Sequence, residues 1–134
     1  MKKKFVAAVT CMDGRIQSSI NAYLRDKYDV PYVDVISEPG PNRILAEAND
    51  DSVIENIKKR LDISIHKHGA EIIALVGHED CAGNPVYKEA QREDTLKGID
   101  TLASMNFKAT VVGLWVSLAG NVEVIGERRC GHVS

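Results

Sequence analysis

Phe5-Val6-Ala7-Ala8-Val9-Thr10-Cys11-Met12-Asp13-Gly14-Arg15 is the stretch that decides the fold of this chain, because an apolar run stops there at a group of reactive side chains. Residues 5–9 are short and continuous and contain β-branched valines, which is typical of a buried strand. A helix-like pattern begins directly after Arg15. Cys11, Asp13 and Arg15 therefore follow the carboxyl end of a strand. Ligands of open parallel sheets bind at that edge, and alternate positions can direct these three side chains into one crevice.

A second apolar run leads into Gly77-His78-Glu79-Asp80-Cys81, which carries an imidazole and a thiol at the spacing His-x-x-Cys. Two cysteines and a histidine are ligands suited to Zn²⁺, and three protein ligands leave a fourth position for water or a carboxylate. The sequence therefore predicts a zinc site formed by Cys11, His78 and Cys81, with Asp13 as a conditional fourth ligand. The alternative is that the cysteines are small buried hydrophobic residues and the histidine a satisfied polar group.

The composition is that of an ordinary globular protein. A length of 134 residues predicts one domain, 1–134, with a tail at residues 126–134. The net charge of −2, without a Lys/Arg stripe, argues against a nucleic-acid partner. We expect no membrane partner, because no apolar run approaches the ~20 residues of a membrane span. The first strand leaves no room for a signal peptide before it, so we expect a cytoplasmic protein. Three cysteines in a reducing compartment favour ligands over disulfides.

The hydrophobic pattern alternates between strands and helices. Strands are predicted at residues 5–9, 32–36, 72–76, 110–116 and 122–125. Predicted helices begin after Arg15, at a capping box formed by Ser52 and Glu55, and after Pro85, and they end near residues 26–29, at Gly69 and beyond Leu102. Short connections between these elements imply an α/β fold, with a mainly parallel β-sheet flanked by helices and a C-terminal antiparallel edge strand. Residues 37–42 contain two prolines and are predicted to be a rigid loop at the same sheet edge as Cys11.

The two-part motif Cys11-x-Asp13-x-Arg15 and His78-x-x-Cys81, each part after a strand, resembles the β-class carbonic anhydrases over nearly the whole chain. Those enzymes hold a catalytic zinc with Cys, His and Cys and use an Asp–Arg pair as a gate and hydrogen-bonding dyad. The resemblance implies that Cys11, His78 and Cys81 are zinc ligands. It also implies that Asp13 and Arg15 form the catalytic dyad.

The chain also departs from the pattern of that family. Gly77 and Gly83 match the family's glycines around the His-x-x-Cys turn, but Ser37-Glu38-Pro39-Gly40 replaces Arg-Asn-Ala-Gly after the second strand, so only Gly40 carries over. The N-terminal helical arm that embraces a partner subunit in the family has no counterpart before the first strand. We therefore expect a short, divergent member without that arm.

Two classes of function remain open at this point. The leading hypothesis is a zinc-dependent lyase that reversibly hydrates CO₂ to bicarbonate, with hydrolysis of COS or CS₂ as a related chemistry. The other is a non-catalytic zinc protein in which Asp13 stays bound to the metal. The resemblance and the sheet edges also predict a homodimer or larger homo-oligomer, with the second strand at the interface. Cys130 and His132 could form a second metal site, but a terminal tail is the favoured interpretation.

Overall fold

The computed structural model of the protein describes residues 3–130. Its strands are β1 (Phe5–Cys11), β2 (Tyr32–Glu38), β3 (Ile72–His78), β4 (Thr110–Val116) and β5 (Val122–Arg129). Its helices are α1 (Gln17–Tyr28), α2 (Pro41–Glu47), α3 (Asp51–Asp62) and α4 (Lys88–Ala103), and α3 continues into a π-helical turn at Ile63–Lys67. The strand order is β2-β1-β3-β4-β5; the first four strands are parallel and β5 is antiparallel to β4. The predicted fold class is confirmed.

Helices cover both faces of the sheet. On one face, Ile20 and Leu24 of α1 pack against alternate strand residues such as Ala8. On the other face, helices α2, α3 and α4 contribute buried leucines and isoleucines, among them Leu45 and Leu102. Each fully buried side chain of this kind contributes about 1.5–3 kcal/mol relative to exposure. Within the described residues, none of the helices has the length and apolar character needed to cross a membrane.

The crevice of the sheet lies between β1 and β3. The chain leaves these adjacent strands in opposite directions, because α1 leads to β2 on one side and α4 leads to β4 on the other. The β1–β3 ladder has three residue pairs and ends at Val9–Leu75. Open α/β sheets bind ligands at this kind of topological switch point, outside the carboxyl ends of the strands.

The predicted rigid loop at residues 37–42 is wrong in extent. Strand β2 runs through Glu38 and helix α2 begins at Pro41, so the connection consists of Pro39 and Gly40 alone. Proline is compatible with a first helical turn, because its missing N–H would have no partner there in any case. The same residue type that suggests a loop can therefore begin a helix.

The start of α3 also differs from the prediction. The N-cap is Asp50, whose Oδ1 accepts the backbone N–H of Val53 at 3.2 Å, so the capping box of Ser52 and Glu55 is wrong. An aspartate carboxylate satisfies one of the free N–H groups of the first turn and occupies the cap position itself. The stop at Gly69 agrees with the structure, where this glycine has a φ of 75°.

The predicted tail beginning at residue 126 is wrong for its first residues. Strand β5 continues to Arg129, which pairs with Thr110, because β4 offers ladder partners along its whole length. Cys130 is buried, and its thiol lies 3.8 Å from the carbonyl oxygen of Leu102. Residues 131–134, with His132, lie outside the described residues, and a tail there stays a prediction.

Candidate metal centre

The carboxyl ends of β1 and β3 bring Cys11, His78 and Cys81 together. Cys11 ends β1, His78 ends β3, and Cys81 follows in the next turn. Their candidate ligand atoms all lie within 4.8 Å of one another, and the two sulfur atoms are 3.9 Å apart. Two thiolates at ~2.3 Å from a tetrahedral zinc ion would be separated by about 3.8 Å. This Cys-His-Cys cluster therefore has a spacing that fits a zinc ion.

Cys130 is not part of the Cys-His-Cys cluster. It lies at the end of the sheet where β4 begins, and its N–H donates to the carbonyl of Ala109 there.

The imidazole of His78 is fully buried and has one free nitrogen. Its Nδ1 lies 2.8 Å from the carbonyl oxygen of Glu79 and donates to it. Nε2 is buried and has no hydrogen-bond partner among the described residues. Leaving a buried polar atom unpaired costs about 1–3 kcal/mol. A metal ion would satisfy this nitrogen, and a second hydrogen bond that orients a histidine is the usual arrangement in metal sites.

The two cysteines of the cluster favour a bound cation. Burial raises the pKa of the Cys81 thiol, and the neighbouring Cys11 raises it further. The backbone N–H groups of Gly83 and Asn84 act in the opposite direction. A thiolate at Cys81 is therefore disfavoured unless a positive charge compensates it. A divalent metal ion supplies that charge.

Asp13 and Arg15 form an ion pair beside the cluster. The Nη2 and Nε atoms of Arg15 donate to the Asp13 carboxylate at 2.7 and 3.0 Å, and its backbone N–H donates at 2.9 Å. These hydrogen bonds hold the pKa of Asp13 well below its usual range. The carboxylate is engaged by Arg15 and is not part of the cluster of candidate ligand atoms. Asp13 is therefore ionised at neutral pH and turned toward the arginine.

Two further polar residues form hydrogen bonds with Arg15 or with the backbone around Asp13, and neither was identified from the sequence. Arg15 donates through Nη2 to the Asp80 carbonyl at 3.1 Å and through Nη1 to the Asp80 carboxylate at 3.3 Å. Gln17 Nε2 donates to the carbonyl oxygens of Cys11 and Asp13 at 2.8 and 2.7 Å. Arg15 therefore links the end of β1 to the His-x-x-Cys turn. Their positions in the sequence were the available signal. Asp80 lies inside the His-x-x-Cys motif, and Gln17 lies two residues after the Cys-x-Asp-x-Arg motif.

The connection after β2 also reaches this edge, as the sequence predicted. A Cβ atom added to Gly83 would lie 2.4 Å from the carbonyl carbon of Pro39, and one added to Gly40 would lie 2.6 Å from the carbonyl carbon of Gly83. The two backbones are therefore in direct contact, which only glycine allows. Gly40 also has a positive φ of 60°. The turn that follows Cys81 therefore packs directly against the connection that follows β2.

A cavity of about 720 Å³ opens beside the cluster. Its lining combines the charged pair Arg15 and Asp80 with Cys81 and a mostly apolar wall made of Ala82, Pro85, Val86, Tyr87 and Ala90. Tyr87 is 86% exposed, so the cavity communicates with solvent. Of the three cluster residues, Cys81 lines this cavity, which therefore borders the cluster.

A buried polar network lies behind the cluster, and no sequence pattern indicated it. Its members are Asn42, Asn84, Gln91 and Thr95, each at most 1% exposed. Asn84 Nδ2 donates to Asn42 Oδ1, and Asn42 Nδ2 donates to Thr95 Oγ1, both at 3.3 Å. Three of the four residues come from two helices that are distant in sequence, so only the tertiary fold reveals the network.

A family model described as "putative carbonic anhydrase" matches residues 1–126 of the chain. The chain belongs to this carbonic anhydrase family. The predicted resemblance is confirmed at that level. Curated protein sequences give no significant match.

The fold of this carbonic anhydrase family member is similar to two solved structures. The β-carbonic anhydrase CafA of Aspergillus fumigatus superposes with a TM-score of 0.62 at 12% identity, covering 92% of this chain and 76% of that one. A structure from a study of two tetrameric β-carbonic anhydrases of Sordaria macrospora gives a TM-score of 0.58 at 14% identity, covering 94% and 82%. At these identities the likeness shows the β-carbonic anhydrase fold.

Proposed function

We propose that the chain binds one Zn²⁺ through Cys11, His78 and Cys81 and catalyses the reversible hydration of CO₂ to bicarbonate. The observation that carries this proposal is the convergence of three buried soft ligands, including an imidazole with a free nitrogen, beside an ionised Asp–Arg pair. Membership of the carbonic anhydrase family supports the same chemistry.

The residues around the cluster have distinct roles in this proposal. Zinc would supply Lewis acidity, which lowers the pKa of water so that it can attack CO₂. Asp13, kept ionised by Arg15, accepts a hydrogen bond from the attacking water and leaves an oxygen lone pair free to face the carbon of CO₂. Arg15 holds the Asp13 carboxylate away from the cluster, so the fourth ligand position stays available.

The cavity is suited to a small apolar substrate. CO₂ can enter along its apolar wall, which includes Ala82 and Val86, and meet the charged groups at the cluster. Arg15 Nη1 donates to the Asp80 carboxylate, whose side chain is 75% exposed, so this side of the guanidinium lies close to solvent. COS and CS₂ have the same linear shape and would need the same nucleophile.

We also propose that the chain forms a homodimer or larger homo-oligomer through β2. This strand is at one edge of the sheet, and no other strand of residues 3–130 pairs with its outer side. It exposes Tyr32 and Val35, which are 53% and 45% accessible. An exposed apolar edge strand favours pairing with another chain. A second copy of the same strand would satisfy it with two-fold symmetry.

Metal analysis and activity measurements test the proposed function together. We expect one zinc ion per chain in wild-type protein purified without added zinc, and loss of that ion in Cys11→Ser and Cys81→Ser. Cys130→Ser is the matched control, because Cys130 is equally buried but lies outside the cluster. Stopped-flow measurement should then show CO₂ hydration by the zinc-loaded protein.

The alternatives are separate outcomes of these experiments. Wild-type protein without stoichiometric metal would contradict the zinc site itself. Zinc-loaded protein that is inactive at every pH would identify a non-catalytic zinc protein in which Asp13 binds the metal. Faster hydrolysis of COS or CS₂ than hydration of CO₂ would change the substrate and leave the site intact.

A further inference from the structure

The side chain of Gln91, on α4, forms hydrogen bonds with both the backbone N–H and the backbone carbonyl of His78. We propose that Gln91 is the positioning residue of the metal centre and that its carboxamide sets where the His78 imidazole lies. This inference rests on the proposed function, since it assumes that His78 is a ligand. The family resemblance and the sequence motifs assign no role to this residue.

The contacts use the whole carboxamide of Gln91. Its Nε2 donates to the His78 carbonyl oxygen at 2.6 Å, and its Oε1 accepts the His78 N–H at 3.1 Å. Nε2 also donates to the Asn84 carbonyl oxygen, and Oε1 also accepts from Asn42 Nδ2, both at 3.3 Å. An amide side chain has two donors and about two acceptor sites, so every one is occupied. A buried glutamine is stable only under that condition.

The geometry of the sheet explains why His78 needs such a partner. The N–H of Glu79 donates to the Val116 carbonyl at 3.0 Å, toward β4. Successive residues of a strand direct their backbone groups to opposite sides, so the N–H and C=O of His78 face the β1 side. The β1–β3 ladder has already ended there, at Val9–Leu75. The carboxamide of Gln91 supplies the donor and acceptor that a neighbouring strand would otherwise provide.

Gln91 also links His78 to the segment that follows Cys81. It binds His78 directly and donates to the carbonyl of Asn84, whose own N–H donates to the Cys81 carbonyl at 3.3 Å. Gly77 allows this approach, because a Cβ atom there would lie 2.8 Å from Gln91 Oε1. With Nδ1 of His78 bonded to the Glu79 carbonyl, both the backbone and the ring of the histidine are held. The free Nε2 is thereby fixed in place before a metal binds.

Three variants of the full chain test the positioning role. Gln91→Leu has a similar size and removes all four hydrogen bonds, whereas Gln91→Glu keeps the acceptor and loses both donors. Thr95→Val is the matched control: Thr95 is buried one turn along α4 and belongs to the same network, but its side-chain hydrogen bonds go to Asn42 and to the Gln91 carbonyl and not to His78. The measurements are the zinc dissociation constant, by competition with a chromophoric chelator, and the visible absorption bands of the Co²⁺-substituted protein.

We expect Gln91→Leu to weaken zinc binding by about 10- to 100-fold, the usual effect of removing a group that orients a metal ligand. Its Co²⁺ bands should shift, since they report the geometry around the metal, and Gln91→Glu should change both readouts in the same direction. Thr95→Val should lower the melting temperature while leaving zinc affinity and the Co²⁺ bands as in the wild type.

Unchanged zinc affinity and Co²⁺ bands in both Gln91 variants would overturn the inference. So would a Thr95→Val variant that loses as much affinity as Gln91→Leu, because the network would then have only a general structural role. If Gln91→Leu does not fold, Gln91→Glu decides the question. A wild-type chain that binds no zinc would refute the proposed function as well, whereas zinc-binding wild type with unaffected Gln91 variants refutes the positioning role alone.

Discussion

Replacing Gly83 by alanine tests the close backbone contact between the turn after Cys81 and the Pro39–Gly40 connection that follows β2. The added Cβ would lie 2.4 and 2.7 Å from the carbonyl carbon and oxygen of Pro39 and 2.6 Å from the nitrogen of Gly40. All three atoms belong to the backbone, so no side-chain rotation relieves the overlap. Carbon atoms in contact normally lie about 3.5–4.0 Å apart, so the two segments must separate by roughly 1 Å.

The cost of this separation can be estimated. Overpacking a well-packed site typically costs about 1–3 kcal/mol, and a backbone overlap belongs at the upper end of that range. With an unfolding entropy of about 2.1 cal/mol/K per residue, a loss of ~3 kcal/mol lowers the melting temperature by about 10 °C for a chain of this length. Zinc affinity should fall as well, because Gly83 and Asn84 direct backbone N–H groups toward the Cys81 thiol.

Differential scanning calorimetry and zinc competition on the same preparations measure both effects. Gly14→Ala is the control, since a Cβ atom there meets no atom of the described residues within 4 Å and the substitution should change stability by no more than about 0.5 kcal/mol. A Gly83→Ala protein that melts within a degree of the wild type and binds zinc equally well would refute the close backbone contact.

Two further predictions concern catalysis and assembly. Arg15→Ala should keep zinc bound and lower CO₂ hydration by about 100-fold or more, because Asp13 is then free to occupy the fourth ligand position. Asp80→Asn is its control: this solvent-exposed contact of Arg15 contributes little, so the variant should keep near wild-type activity. Full activity in Arg15→Ala would contradict the role of the dyad. Val35→Asp on β2 should give a monomer by analytical ultracentrifugation, whereas Val124→Asp, equally exposed on β5, should not. The reverse result would place the interface at the other edge.

The sequence by itself determined the sheet and the two halves of the candidate site. The three central strands, β1, β3 and β4, are apolar runs whose local pattern is decisive, because burial on both faces leaves few other residue types possible. Strand ends in parallel sheets share one edge, so Cys11 and the His-x-x-Cys turn had to meet wherever β1 and β3 are neighbours. The helix beginning at Pro41 was not predicted, because proline suits both a loop and a first helical turn.

Only the tertiary structure decided how the candidate ligands are held. The direction of the His78 ring follows from its hydrogen bond to the Glu79 carbonyl. Because the β1–β3 ladder ends before His78, the backbone of this residue is bound by the side chain of Gln91 and not by a neighbouring strand. Gln91 lies in a polar stretch of α4 that reads as a solvent-exposed surface, yet it is 1% exposed. Its place depends on four hydrogen bonds to three residues, His78, Asn84 and Asn42, and such bonds leave no periodic trace in the sequence. Apolar burial is recorded in the local pattern of residue types, whereas polar satisfaction in the interior depends on which segments the completed fold brings together.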